Sequence, residues 1–140
     1  MPSGRTHDRA TIIFSPIIIG GVLFSNLDIQ NSIVLITLYF FSSFMFNGDL
    51  DIISRPYNRW GVLKFIWKPY QKLFEHRSIW THGVIIGTIV RIIYLLILLS
   101  PLIYFTNFNI IAEMDLTTLL IIFFGLESGS ALHTLLDYTM

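Results

Sequence analysis

Four apolar stretches, Thr11–Leu27, Ile29–Phe46, Gly83–Phe105 and Leu116–Leu136, fill most of this 140-residue chain and constrain its fold more than any other feature. Only 13% of the residues are charged, against about a quarter in a soluble domain. A helix needs about 20 apolar residues, within a range of ~17–25, to cross the hydrocarbon of a bilayer. The last two stretches reach that length. The first two are short, and the more polar Ser25–Ser32 region between them leaves little room for a turn. The length rule predicts a single all-α domain over residues 1–140. It is an integral membrane bundle of about four transmembrane helices, at about 11–27, 29–46, 83–105 and 116–137. A thin or re-entrant hairpin is the alternative for the first pair. The first stretch follows Arg5 and Arg9, as a signal peptide would, but ends in Phe24-Ser25-Asn26-Leu27, a poor cleavage site. An uncleaved first helix is expected.

Eight of the nine lysines and arginines fall on one side of such a bundle. Arg5 and Arg9 precede the first stretch, and Arg55, Arg59, Lys64, Lys68, Lys72 and Arg77 lie between the second and third. The opposite turns carry Asp28, Glu113 and Asp115. The positive-inside rule then places the chain in the cytoplasmic (inner) membrane with both termini and the long loop in the cytoplasm. The net charge of zero conceals this asymmetry. The chain has no cysteine, which excludes disulfides and thiolate metal sites.

The loop over residues 52–75 is basic and aromatic. Leu63, Ile66, Trp67, Tyr70, Leu73 and Phe74 recur at helical spacing, and Lys64, Lys68 and Lys72 follow at i, i+4, i+8 on another face. This predicts a cytoplasmic amphipathic helix in the headgroup layer, kinked or divided at Pro69. Each lysine near an anionic leaflet adds about 1 kcal/mol, so the bilayer and its anionic headgroups are the expected partners. The loop fits a plain interfacial anchor and also a platform that collects an anionic substrate. It is too short to suggest nucleic acid.

Alternating crossings bring to that same face all four histidines, His7, His76, His82 and His133, with Asp49, Asp51 and Asp137. Imidazoles and carboxylates without sulfur form a donor set for a divalent transition metal, zinc first, with manganese, iron or nickel as alternatives. His133 and Asp137, at i and i+4, share one face of the fourth helix, as joint ligands or with Asp137 orienting His133. The spacing of His76 and His82 suits a loop ligand followed by a ligand where a helix starts. Asp49 and Asp51 both reach one ion only if the second helix has ended at Gly48; otherwise one of them orients a ligand. Seven candidates exceed the four positions of tetrahedral zinc. One ion with supporting groups, or two ions about 3.5–4 Å apart, would use them, and a hydrogen-bonded cluster without metal is the structural alternative. A ligand from a second copy, and so an oligomer, also fits a sequence that stops three residues after Asp137.

Arg91 and Glu127 fall inside the third and fourth spans, about 13–15 Å from the site face at ~1.5 Å per residue. An ionised group in a bilayer usually has a partner, so the two are predicted to pair and set the register of their helices; an ion or proton route is the alternative. The small residues Gly125, Ser128, Gly129, Ser130 and Ala131 let helices approach closely there.

Taken in order, Pro2-Ser3-Gly4-Arg5-Thr6-His7-Asp8, Gly48-Asp49-Leu50-Asp51, His76-Arg77…Thr81-His82 and His133…Asp137 resemble a family of small bacterial membrane proteins. These are described as uncharacterised metal-binding proteins and are similar to predicted inner-membrane-bound metal-dependent hydrolases. The resemblance covers nearly the whole chain. It implies metal-related roles for His7, Asp49, Asp51, His76, His82, His133 and Asp137. In the related hydrolases a serine often follows the second histidine of the third element; Gly83 stands here, so that hydroxyl has no counterpart.

The expected activity is metal-assisted hydrolysis of a lipid or phosphoester at the cytoplasmic membrane surface. His76, His82, His133 and Asp137 would hold the ion. Asp49 would bridge or act as general base, Asp51 and His7 would complete or orient the ligands, and Arg55, Arg59 or Arg77 would receive an anionic oxygen. A metal-handling or transport protein, and a non-catalytic scaffold with a structural metal, are the rival classes.

Overall fold

The structure is a computed structural model in which residues 3–106 and 113–139 are described. In chain order its helices are α1 (Gly4–Leu23), α2 (Ile29–Met45), α3 (Arg55–Arg59), α4 (Lys68–Leu73), α5 (Ile79–His82), α6 (Ile86–Thr106) and α7 (Leu116–Thr139). Tighter 3-10 turns occupy Gly48–Asp51 and Gly61–Trp67, and no strand occurs among the described residues. The all-α expectation therefore holds. The four-span expectation reduces to two: α6 and α7 are long and apolar enough to cross a membrane by length and composition alone. A helical core meets the same criterion, and α2 is a shorter apolar helix.

Caps rather than hydropathy set the helix ends. α1 starts at Gly4, not at residue 11, because the Ser3 hydroxyl accepts the Thr6 N–H at 3.3 Å and opens the helix ahead of the apolar run. His7 and Asp8 thus lie on α1 itself. The third apolar stretch does not begin as one helix at Gly83. α5 ends at His82, the chain turns through Gly83–Ile85, and α6 starts at Ile86.

α2 packs most extensively on α7. Gly129 permits this: a Cβ there would stand 2.5 Å from the Tyr39 carbonyl oxygen and 2.6 Å from the Ser43 nitrogen. The Ser42 hydroxyl donates to the Leu126 carbonyl across this interface, and the Tyr39 hydroxyl donates to Thr11 O at 2.9 Å, tying α1 to α2.

The loop does not form one amphipathic helix. Gly61–Trp67 is 3-10, and Pro69 sits in the first turn of α4, where its missing N–H costs nothing. Trp67 and Tyr70, expected in the headgroup layer, are fully buried instead. They join Phe46, Leu50, Tyr57 and Leu126 in the core, with Trp67 ring centroids 5.8 Å from Phe46 and 5.1 Å from Trp60. Lys64, Lys68 and Lys72 remain exposed. The Gln71 amide donates to Leu50 O at 3.1 Å and Ile52 O at 3.0 Å, bracing the Gly48–Asp51 turn.

Arg91 and Glu127 form no direct ion pair. Arg91 is fully buried and reaches back toward α5: Nη1 donates to Thr81 O at 2.7 Å, and Nη2 donates to Thr88 Oγ1 at 3.0 Å and Ser130 Oγ at 2.5 Å. Glu127 Oε1 accepts the Ile85 N–H at 2.9 Å. The break before α6 is the reason. It frees backbone groups that a continuous helix would have satisfied, and each charged side chain takes one of them.

Candidate metal centre

The start of α1, the turn after α2, the end of α5 and the last turns of α7 meet at one end of the bundle. Each supplies donors. After α2 ends, Asn47 caps the next turn by accepting the Asp49 N–H at 3.2 Å, and the Ser54 hydroxyl donates to Asp49 O at 2.7 Å. These bonds aim the Asp49 carboxylate inward. Gly48 lies flat against the His82 ring, which ends α5. His133 and Asp137 follow one another on α7 as their spacing predicts, with Nε2 and Oδ2 3.3 Å apart.

Four atoms converge: Asp49 Oδ1, His82 Nε2, His133 Nε2 and Asp137 Oδ2. His133 Nε2 is 3.3 Å from each carboxylate oxygen, and His82 Nε2 is 3.5 Å from Asp49 Oδ1 and 3.6 Å from Asp137 Oδ2. None of the four has a hydrogen-bond partner, although all are buried. Burying unpaired polar atoms costs about 1–3 kcal/mol each, and one bound cation would satisfy all four. A four-coordinate ion with bonds of about 2.0–2.2 Å places neighbouring ligand atoms about 3.3–3.6 Å apart, the range of the four nitrogen–oxygen separations here. An octahedral ion would need bonds of about 2.3–2.5 Å for the same edges, a calcium range, and calcium takes oxygen donors rather than imidazole. The donor set could therefore hold a metal ion. Burial opposes the charge on Asp49, but His133 and His82 beside it outweigh that and hold its carboxyl well below the usual carboxylate range.

Asp49, His82, His133 and Asp137 form this group, and Asp51, His76 and His82 form a second one beside it. Asp51 is wholly buried; Oδ1 lies 2.8 Å from His76 Nδ1 and Oδ2 lies 3.5 Å from His82 Nδ1. The Thr81 hydroxyl is hydrogen-bonded to His82 Nδ1 at 3.0 Å, and Asp51 stands behind the same side of the ring, so the two together orient an imidazole that could bind metal. His76, expected as a ligand of the same ion as His133, lies outside the four-atom set, because the Gly48–Asp51 turn points Asp49 and Asp51 to opposite sides of His82. His7 Nε2 is 3.2 Å from Asp137 Oδ1, and its ring stacks on His133 at 4.0 Å between centroids.

The three candidate substrate arginines separate. Arg55 Nη1 lies 2.8 Å from Asp8 Oδ2, and Arg59 grips both Asp8 oxygens at 2.9 and 2.7 Å while donating to Phe44 O at 3.0 Å. Both clamp α3 to α1. Arg77 differs: it lies at a small opening lined also by His82, Asp137 and Tyr138. Sequence reasoning gave Asp8 no role; its signal was a carboxylate beside His7 in a chain whose Arg55 and Arg59 lacked an acidic partner.

Over 58 residues the chain is 41% identical to a protein of Aquifex aeolicus (strain VF5) described as "Uncharacterized protein". That match covers 41% of this chain and 40% of the other. The chain thus spans about two fifths of the curated relative it matches. No solved structure matches. Residues 2–140 match the family described as "Uncharacterized metal-binding protein (DUF2227)", and with its cluster of histidines and aspartates that could hold a metal ion this chain belongs to that family of metal-binding proteins.

Proposed function

We propose that this protein holds one zinc ion between Asp49, His82, His133 and Asp137 and uses it to hydrolyse an ester or phosphoester at the cytoplasmic face of the inner membrane. The observation that carries the reading is the set of four buried donor atoms whose nitrogen–oxygen separations of 3.3–3.6 Å suit one ion. Zinc held there supplies a Lewis acid that polarises a substrate oxygen and activates water. Water then adds across the ester bond to give an alcohol and an acid. In this reading Asp49 is a ligand rather than a free general base, because its Oδ1 belongs to the donor set. Asp51 orients His82, and His7 orients Asp137.

The outer surface supports the membrane part of the reading. Ile12, Ile13 and Ile17 on α1, Ile29 and Ile33 on α2, Ile93 and Ile97 on α6, and Leu116 and Phe124 on α7 are exposed. So large an apolar surface suits lipid better than water. At ~1.5 Å per residue α6 and α7 run about 31 and 36 Å, enough to cross, while α2 runs about 25 Å and would sit in a thinned leaflet or tilt little. The donor end carries the basic loop, so the positive-inside rule turns it to the cytoplasm. Exposed Lys64, Lys68 and Lys72 beside exposed Val62, Leu63 and Phe65 would rest on anionic headgroups.

A structural zinc is the second reading, favoured by one observation: four protein side chains converge there, as many as a structural site uses. Catalysis would then need substrate to reach the donor set. The opening at Asp137 supplies the approach for it.

Metal content per chain of detergent-purified protein tests the proposal. About one zinc per chain is expected, lost in His82→Ala/His133→Ala. Absence of bound metal, with no uptake on titration, refutes it. If zinc binds but no ester is turned over, the structural reading stands.

A further inference from the structure

We infer that Arg77 and the opening beside Asp137 form a binding site for a phosphate-type oxyanion, presented by an amphiphile. The inference rests on the zinc reading and names the substrate class for the same centre.

Of the three arginines expected to receive an anionic oxygen, Arg77 is the one the fold leaves available. Arg55 and Arg59 are committed to Asp8, and Arg91 is buried beneath the site. The Arg77 side chain is 43% exposed at the opening over the donor atoms, with Nη2 3.8 Å from Asp137 Oδ1. Its placement is specific. Arg77 adopts a φ of +61°, in the left-handed region that a residue with a Cβ rarely enters, and its N–H donates to Asp51 Oδ2 at 3.4 Å. The carboxylate that backs His82 therefore also positions Arg77.

Charge balance gives the chemistry. Without metal, Arg77 shares the negative charge of Asp137. A divalent cation among the donors offsets Asp49 and Asp137, so Asp137 no longer competes for the Arg77 guanidinium, and the third carboxylate, Asp51, is held by His76 Nδ1 at 2.8 Å. An oxyanion that enters through the opening meets both the cation and Arg77. The planar guanidinium offers paired N–H donors, which match phosphate geometry. Ile79 and Trp80, just along the chain from Arg77, and Tyr138 at the opening are exposed. Tyr138 gives the rim an aromatic edge, and the exposed Ile79 and Trp80, two and three residues from Arg77, add apolar surface suited to an amphiphile at the interface.

The test is calorimetric titration of inorganic phosphate into zinc-loaded, detergent-purified protein, with zinc content measured alongside. Binding is expected, and Arg77→Gln should weaken it about tenfold or more while zinc content stays unchanged. Metal-free wild-type protein should also bind phosphate about tenfold more weakly, which does not depend on how the variant folds. Equal phosphate affinity with and without zinc, equal affinity in Arg77→Gln, or no phosphate binding by zinc-loaded protein overturns the inference and leaves the zinc reading intact. No zinc uptake overturns both. A short-chain phosphomonoester amphiphile then identifies the source: tighter binding than inorganic phosphate assigns a lipid headgroup, and equal binding assigns a soluble phosphate ester.

Discussion

Gly48 lies so close to the His82 ring that a Cβ at position 48 would stand 2.8 Å from both Nε2 and Cδ2. The residue before Asp49 thus fixes how near one donor comes to another. Gly48→Ala must displace the ring or the turn, and overpacking of this kind costs about 1–3 kcal/mol. Zinc affinity should fall about tenfold or more while the helical circular dichroism of the protein is kept. Unchanged affinity by competition with a chromophoric chelator would falsify this tight approach.

Asp51 touches both His76 and His82 from a fully buried position. Asp51→Asn keeps the shape and removes the charge that holds the His82 ring. It should weaken zinc binding about 10–100-fold without abolishing it. His76→Ala, outside the four donor atoms, should cost less than His133→Ala. Equal loss in the two histidine variants would instead place His76 among the ligands.

Arg91 joins the element that carries His82 to the helix that carries His133, through Thr81 O and Ser130 Oγ. Arg91→Leu would leave these buried acceptors unpaired. Leaving a buried acceptor unpaired costs about 1–3 kcal/mol. A marked drop in melting temperature is expected, with metal-free and zinc-loaded protein both affected. A variant as stable as wild type would show that water replaces the guanidinium.

Arg59 and Arg55 share Asp8, so their predicted role is structural. Arg59→Ala should destabilise by about 1–2 kcal/mol, and the more exposed Arg55 by less. Neither should change the affinity of zinc-loaded protein for phosphate. A loss of phosphate affinity in either variant, at equal stability, would return that arginine to the substrate site.

The metal-free protein should weaken in acid. Asp49 has a folded-state pKa below its ordinary value of 3.8. The fold therefore favours the ionised form. Its contribution is fully present above pH 3.8 and is lost as the pH falls from there through the depressed folded value. Denaturant unfolding of wild type and Asp49→Asn across that acid range reads it: the difference between the two should shrink as the pH falls.

The local pattern of the chain determined which segments become long helices, that His133 and Asp137 share a face, and that the donors gather where helices end. Each of these depends on residues a few positions apart, and hydrophobic period and i, i+4 spacing report such relations directly. The helix starts were less legible: Ser3 capped α1 ahead of its apolar run, and the turn at Gly83–Ile85 delayed α6. Only the tertiary structure decided how the charged groups divide. Arg59 meets Asp8 across 51 residues, Ile85 meets Glu127 across 42, and Arg91 meets Ser130 across 39. Arg91 and Glu127 were a sound pair by depth, yet each took a backbone group exposed at the break before α6. Seven donors became a set of four, with Asp51, His76 and His7 supporting it, because the Gly48–Asp51 turn sends its two aspartates to opposite sides of one imidazole. Local periodicity does not encode which side chain reaches an unpaired group first; packing of distant segments does.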